Sequence, residues 1–276
     1  MKIAVLSGKG GTGKTTISGN LVYSIPNSSI IDTDVEEPNQ HIFLKPSIEK
    51  EISIYTEYPI VNQEKCILCG KCEELCKYSA IIVGRKQVVI FDKSCHDCGG
   101  CKIVCDSGAI TYEKREIGKV YQGKSYNKVI RYGKLNVGEL SGVKIINKLK
   151  EISEDEEILF IDCPPGTSCS TVAAVEDSDF AIIVVEPTPF GVSDMKMVVS
   201  MLKDMDKKFA VVINKAGLGD DEIYDYCKNE NISIIGEIPF DEEVAKLYAN
   251  GEMAAEKLPK YKVEFEKIFD KARRMI

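Results

Sequence analysis

Eight of the eleven cysteines lie between Cys66 and Cys105, in two runs of identical spacing: Cys66-x2-Cys69-x2-Cys72-x3-Cys76 and Cys95-x2-Cys98-x2-Cys101-x3-Cys105. Three thiols separated by two residues let one loop wrap a single centre, so clustering at this density points to metal ligation rather than to disulfides. A second run able to do chemistry lies near the N-terminus. Gly8-Lys9-Gly10-Gly11-Thr12-Gly13-Lys14-Thr15 satisfies G-x-x-x-x-G-K-[ST] between an apolar run and a helical stretch. Its glycines allow a curl that turns successive backbone N–H groups onto phosphate oxygens. The helix that follows adds the positive end of its dipole. Lys14 would hold the β- and γ-phosphates of ATP, the Thr15 hydroxyl would coordinate Mg²⁺, and Thr16 extends the phosphate-binding run.

The elements needed to position these residues are legible in outline. Lys2–Ser7 is an apolar run suited to a buried parallel strand. Thr15 to Ser24 reads as a helix stopped before Pro26, and Ser29–Asp32 reads as a second strand. Periodicity then falters until the cysteine-rich block, roughly Pro59 to Tyr112. Glu113 to Tyr132 alternates like a β-hairpin, with turns expected at Gly118 and Gly123. A helix is expected from Ser141, with Val143, Ile146, Leu149 and Ile152 on one face. Strands at Ile158–Asp162, Phe180–Val185, Phe209–Asn214 and Ser233–Ile238 then alternate with helices near Val172 and over Val192–Met205, Asp220–Asn229 and Asp241–Asn250. Such alternation predicts an α/β fold with a doubly wound, mostly parallel sheet. The cysteine block interrupts it and reads as an insertion. The predicted organisation is a nucleotide-binding domain over 1–58 and 113–276 with a small α+β module inserted over 59–112.

The 276 residues are 44% hydrophobic and carry a net charge of −7, which argues against nucleic-acid binding. The charge is uneven: Glu113–Lys150 holds ten Lys/Arg against three Asp/Glu. That stretch reads as a solvated hairpin face or as a dock for an acidic electron-transfer protein. No run reaches the length of a membrane span, and the N-terminus enters a strand rather than a signal peptide, so a cytoplasmic location is expected.

With Lys9 ahead of the glycines, the loop resembles the deviant Walker A of the P-loop family that includes MinD, ParA, the nitrogenase iron protein and iron–sulfur carrier ATPases. That resemblance implies a nucleotide-sandwich homodimer in which Lys9 reaches the partner's phosphates. By the same resemblance Asp32-Thr33-Asp34 matches switch I, with Asp32 near Mg²⁺ and Asp34 positioning the attacking water. Asp162-Cys163-Pro164-Pro165-Gly166 matches switch II, with Asp162 holding Mg²⁺ through water and the Gly166 amide sensing the γ-phosphate. Asn214, Pro239 and Phe240 occupy the positions that hold adenine in relatives. Lys9, Lys14, Asp34 and Asp162 form the implied catalytic set.

The cysteine runs are similar to the bacterial two-cluster ferredoxin pattern, which implies two [4Fe–4S] clusters. Cys66, Cys69, Cys72 and Cys105 would hold one, and Cys95, Cys98, Cys101 and Cys76 the other. Lys77 and Asp106 stand where a proline usually follows the fourth cysteine. Two four-cysteine zinc sites are the alternative metal reading. Cys169, seven residues after Asp162, resembles in offset a cluster-ligating cysteine of the nitrogenase iron protein. Cys163 and Cys169 also read as small buried hydrophobes. The amphipathic Tyr261–Ile276 segment is expected to pack on the sheet rather than on a membrane. The implied function is an Mg²⁺-dependent ATPase coupling nucleotide state to electron transfer or to cluster delivery to a partner protein. A MinD/ParA-like positioning ATPase with structural clusters is the second reading. An amidotransferase-type ligase is the third, and it leaves the cysteines unused.

Overall fold

The computed structural model describes residues 1–219 and 221–276. Along the first half the elements are β1 (Lys2–Leu6), α1 (Lys14–Ser24), β2 (Ser28–Asp32), α2 (Gln40–Leu44), β3 (Ser47–Val61), α3 (Lys71–Leu75), β4 (Ile81–Val83), β5 (Val88–Ile90), α4 (Gly100–Ile103), β6 (Ile110–Ser125) and β7 (Lys128–Leu135). The second half adds α5 (Val143–Glu151), β8 (Ile158–Asp162), α6 (Cys169–Val175), β9 (Phe180–Val185), α7 (Pro189–Asp204), β10 (Phe209–Ala216), α8 (Glu222–Asn229), β11 (Ile234–Pro239), α9 (Glu242–Ala249), α10 (Ala254–Lys257) and α11 (Pro259–Arg273). The expected start of one helix at Asp220 lies outside the described residues.

Nine strands form one sheet in the order β11-β10-β9-β1-β8-β2-β7-β6-β3. Pairings are parallel from β11 through to β7, as continuous Val/Ile/Leu runs covered on both faces require. Register brings the chemistry together. Val5 and Asp32 both lie opposite Asp162, so the glycine loop and the two acidic strand ends share one carboxyl edge of the sheet. Ligands bind at that edge in open α/β sheets.

The chain divides into two compact units, Met1–Ile52 with Val120–Lys134 and Gly142–Ile276, and Ser53–Lys119 with Leu135–Ser141. In the first, sheet residues such as Ile3, Phe160 and Ile182 pack with Ile17 and Leu21 of α1 and with Phe265, Ile268, Phe269 and Ala272 of α11. The second has a small core of Ile81, Val88, Cys101 and Ile110, with Cys66, Cys72 and Cys105 packed against it, and the antiparallel β4–β5 pair.

Two readings of the sequence are corrected. The segment between β2 and the first cysteine is not irregular, because it carries α2 and the long strand β3. Gly118 and Gly123 are not turns; both lie inside β6. The turn is Tyr126-Asn127, whose φ values of 49° and 59° give the mirror-image geometry favoured in two-residue hairpins. Gly123 is needed for a different reason: a Cβ there would come 2.4 Å from the Ser47 carbonyl oxygen.

Among the described residues no helix is long and apolar enough to cross a membrane. The apolar face of α11 is spent on the core. Phe265→Ala should therefore cost about 3–5 kcal/mol in urea unfolding. Val263→Ala, on the exposed face of the same helix, should stay within about 0.5 kcal/mol.

Candidate functional site

The phosphate loop is shaped by three close approaches. Gly13 precedes α1 with φ 87° and no side-chain cap, leaving the first helical N–H groups to the loop. A Cβ on Gly13 would lie 2.1 Å from Asn214 Nδ2, and one on Gly8 would lie 2.4 Å from the Asp194 backbone. Asn214 Nδ2 donates to the Thr12 carbonyl at 2.8 Å, tying the end of β10 to the loop.

Above the loop opens a cavity of about 510 Å³, walled by Lys9–Thr16 on one side and by Asn214, Pro239 and Phe240 on the other. The sequence-assigned phosphate and adenine residues thus meet around one space, and Asp34 lines it too. Thr12 Oγ1 is buried without a partner, a polar atom left for a ligand oxygen. Gly166 does not line the cavity; its N–H donates to the Ser7 carbonyl at 2.9 Å. Lys215, Asp241, Val244 and Tyr248 also line the cavity, although no sequence motif marks them. Asp241 is held as a carboxylate down to about 2 by Tyr261, Lys260 and the Glu243 N–H.

Beneath the loop lies a buried charge network. Lys14 Nζ is 2.8 Å from Asp162 Oδ1, and both side chains are almost wholly covered. Thr33 Oγ1 donates to the Asp162 carbonyl at 2.8 Å. Asp32 accepts from the backbone N–H groups of Asp34, Asn39 and Gln40 at 2.8–3.0 Å. Gln40 Nε2 reaches Asp162 Oδ2 at 2.8 Å and the Thr15 carbonyl at 3.0 Å. Gln40 was missed in the sequence because it lies where the periodicity falters.

Two carboxylates and one ammonium leave this pocket with surplus negative charge. Burial, and then Asp162, push the Asp32 carboxyl up to about 7. Burial also raises Asp34, while Lys14 is carried upward by Asp162 and Asp32 against the cost of its own burial. Thr15 and the carboxylates of Asp32 and Asp162 are hard oxygen donors, which suits Mg²⁺. Val35, adjacent to Asp34, is 1% exposed. It fills the space where a Cβ on Gly133 or Gly142 would stand, at 2.7 and 2.2 Å.

The eight clustered cysteines are gathered in the second unit around two cavities. One is lined by Cys66, Cys69, Cys72 and Cys105. The other is lined by Cys76, Cys95, Cys98 and Cys101, with Cys72 between the two. All eleven cysteines are free thiols. Among the described residues no three His, Cys, Asp or Glu side chains are grouped to hold a single metal ion.

The backbone repeats with the cysteines. Positive φ recurs at Leu68 and Asp97, at Gly70 and Gly99, and at Ser79 and Gly108. The Ala80 N–H donates to Cys76 Sγ at 3.3 Å and the Asp97 N–H to Cys95 Sγ at 3.5 Å. Asp106, where a proline was expected, ion-pairs with Lys71 on the surface. Within this unit Arg115 pairs with Glu139 and, at 3.3 Å, with Asp92, whose carbonyl accepts the Cys95 N–H. Of the remaining thiols, Cys163 is buried and its pKa is raised by that burial, whereas Cys169 is exposed at the start of α6.

The sequence matches the CobQ/CobB/MinD/ParA nucleotide binding domain family over residues 3–254, and the chain belongs to that family. It is therefore a P-loop, ATP-binding protein of the MinD/ParA type. Two uncharacterised proteins of Methanocaldococcus jannaschii are each 35% identical. One match covers 91% of this chain and 90% of the relative, the other 100% and 98%. An iron-sulfur cluster carrier protein of Pyrococcus abyssi is 28% identical over 86% of this chain and 67% of its own. The fold is that of the septum site-determining protein MinD of Pyrococcus horikoshii, solved with Mg-ADP, with TM-score 0.61 and 17% identity over 97% of this chain and 93% of that one.

Two outcomes follow from the geometry. Gly13→Ala should weaken ATP binding by more than about tenfold, or ~1.4 kcal/mol by calorimetry. Adding Asn214→Ala should recover only part of that loss, since the left-handed φ remains strained. Asp32 has a native pKa above its ordinary 3.8, so the unfolded chain ionises first and native stability falls as pH rises from about 4 to about 7. Urea unfolding at pH 5 and pH 8 should show that the stability of the wild type relative to Asp32→Asn declines with pH.

Proposed function

We propose that the chain is an Mg²⁺-dependent ATPase, working as a homodimer in the cytoplasm, whose nucleotide state governs electron transfer or cluster delivery to a partner protein. Two [4Fe–4S] clusters held by the second unit would be the redox groups. The observation that carries this reading is the presence, in one chain, of a complete phosphate cradle and two thiol-lined cavities that share Cys72. Each cavity gathers the four cysteines that the ferredoxin-like spacing assigns to one cluster. Soft thiolates in fours suit iron–sulfur chemistry, and such a cluster supplies one-electron storage.

In this reading Lys14 would take phosphate oxygens in place of Asp162, and Asp162 and Thr15 would hold Mg²⁺, which would neutralise phosphate charge. Asp34, in the cavity wall, orients the attacking water, and Lys9 serves the partner protomer's nucleotide. Coupling has a route through the chain itself. Val35 moves with Asp34 and is wedged on Gly133 and Gly142, and those glycines bracket residues 135–141, which belong to the cysteine unit. Within that unit Glu139, Arg115 and Asp92 lead to Cys95. A γ-phosphate biasing the Asp34–Val35 segment is a two-state element of the kind that switches P-loop proteins. The carrier-protein relatives lend support at the level of their names.

A positioning ATPase is the second reading, favoured by the likeness to MinD structures. It would make the chain sediment with anionic vesicles or DNA in ATP, and the buried apolar face of α11 argues against the vesicle arm.

The deciding experiment is anaerobic purification followed by iron, sulfide and zinc analysis and spectroscopy with ATP and with ADP. About eight irons per chain are expected. Cys76→Ala should halve that number and spare the site of Cys66, Cys69, Cys72 and Cys105. Zinc or no metal in the wild type would sink the cluster reading, and reduction rate and partner affinity indifferent to nucleotide would sink the coupling.

A further inference from the structure

The cysteine unit is an internal repeat with an offset of 29 residues, carrying Cys66, Cys69, Cys72 and Cys76 onto Cys95, Cys98, Cys101 and Cys105. The cavity walls obey the same offset. Val88 and Val104 of the first cavity correspond to Pro59 and Leu75 of the second, apolar on both sides. Among the positions that line both cavities, three change in character. Ile67, Val83 and Ser107 in the first cavity become His96, Tyr112 and Tyr78 in the second.

The consequences for sulfur are unequal. Tyr112 Oη lies 2.9 Å from Cys101 Sγ. Cys72, the counterpart of Cys101, faces Val83 at the matching position, which has no polar side-chain atom. A metal-bound thiolate can only accept a hydrogen bond, so Tyr112 is the donor. The other two changed residues stack on each other, Tyr78 on His96, with ring centroids 3.7 Å apart. The first cavity has one hydroxyl contact to a ligating sulfur of its own, between Ser107 Oγ and Cys105 Sγ at the longer distance of 3.5 Å.

Reduction adds negative charge to a cluster and its sulfurs. A hydrogen bond to a ligating sulfur stabilises that added charge and raises the reduction potential, as does a more polar wall. An aliphatic wall does the opposite.

We propose, on the basis of the cluster reading above, that the two sites are unequal electron holders. The site of Cys76, Cys95, Cys98 and Cys101 is the more easily reduced, because Tyr112 donates to Cys101 Sγ where the other site has Val83, and His96 stands where the other has Ile67. An electron entering at the Cys66, Cys69, Cys72 and Cys105 site moves to the Tyr112 site. In that step one site is oxidised by one electron and the other reduced by one, with no bond made or broken and no proton moved. The electron comes from a one-electron reductant outside the chain, and the Tyr112 site is the exit toward an acceptor.

The test is a mediated dithionite titration of the full-length, anaerobically purified chain, followed by electron paramagnetic resonance with iron counted in each sample. The wild type should show two separated one-electron steps. Tyr112→Phe should lower the upper step alone, changing the ratio of reduced sites about tenfold, which is about 59 mV for one electron. His96→Ile, an exposed position that copies Ile67, should narrow the same gap and decides the matter if Tyr112→Phe loses iron. Ser107→Ala should move only the lower step. With about eight irons retained, coincident steps in the wild type would overturn the proposal. So would an upper step unmoved in every iron-loaded variant of Tyr112 and His96. Absence of iron from the wild type would instead overturn the cluster reading beneath it.

Discussion

One buried ammonium stands between two buried carboxylates, and the rest of the nucleotide end of the molecule is arranged around that imbalance. Asp32 and Asp162 face each other in register on adjacent parallel strands, and Lys14 enters from the first turn of α1 to sit on Asp162. Like charges this close in a dry place are tolerable only when other groups share the load. Three backbone N–H groups serve Asp32, and the Gln40 amide serves Asp162. What remains is a site with surplus negative charge and a lysine held on Asp162. Its electrostatics favour a divalent cation and a polyphosphate together.

Packing beside the charge network is tight as well. Val35, which follows Asp34, is packed where Gly133 and Gly142 carry no Cβ. Close-packed interiors respond to shifts by changing state rather than by deforming smoothly. A branched side chain against two glycines is a contact with little slack.

The second unit has a different problem. Its buried apolar core is four residues with partly buried neighbours, among them three of the thiols. Units of that size seldom hold together on apolar burial alone, and metal is one of the usual supplements. Cysteines therefore help to build that core, and both cavities are walled by side chains that belong to it. Duplication supplied two equivalent frames, and the wall residues made them different.

Much of this was legible in the sequence. The alternation of apolar runs and helices after Ile158 set the parallel sheet, since both-face burial leaves no polar alternation to read. The glycine loop announced itself because phosphate binding needs that spacing, and the cysteine runs because a shared centre needs theirs. The glycines of β6 misled, because close packing against Ser47 and a turn leave the same residue type behind. Gln40 was invisible, since an amide that bridges a helix backbone and a strand-end carboxylate has no periodic signature. What the sequence by itself determined was the kinds of chemistry present and the order of the elements, because spacing and periodicity are local properties. Only the tertiary structure decided which carboxylates share a charge, that Asn214 closes on Gly13, that Cys72 borders both thiol-lined cavities, and that Tyr112 meets Cys101. Those depend on strand register and on the approach of residues distant in the chain, which no local pattern encodes.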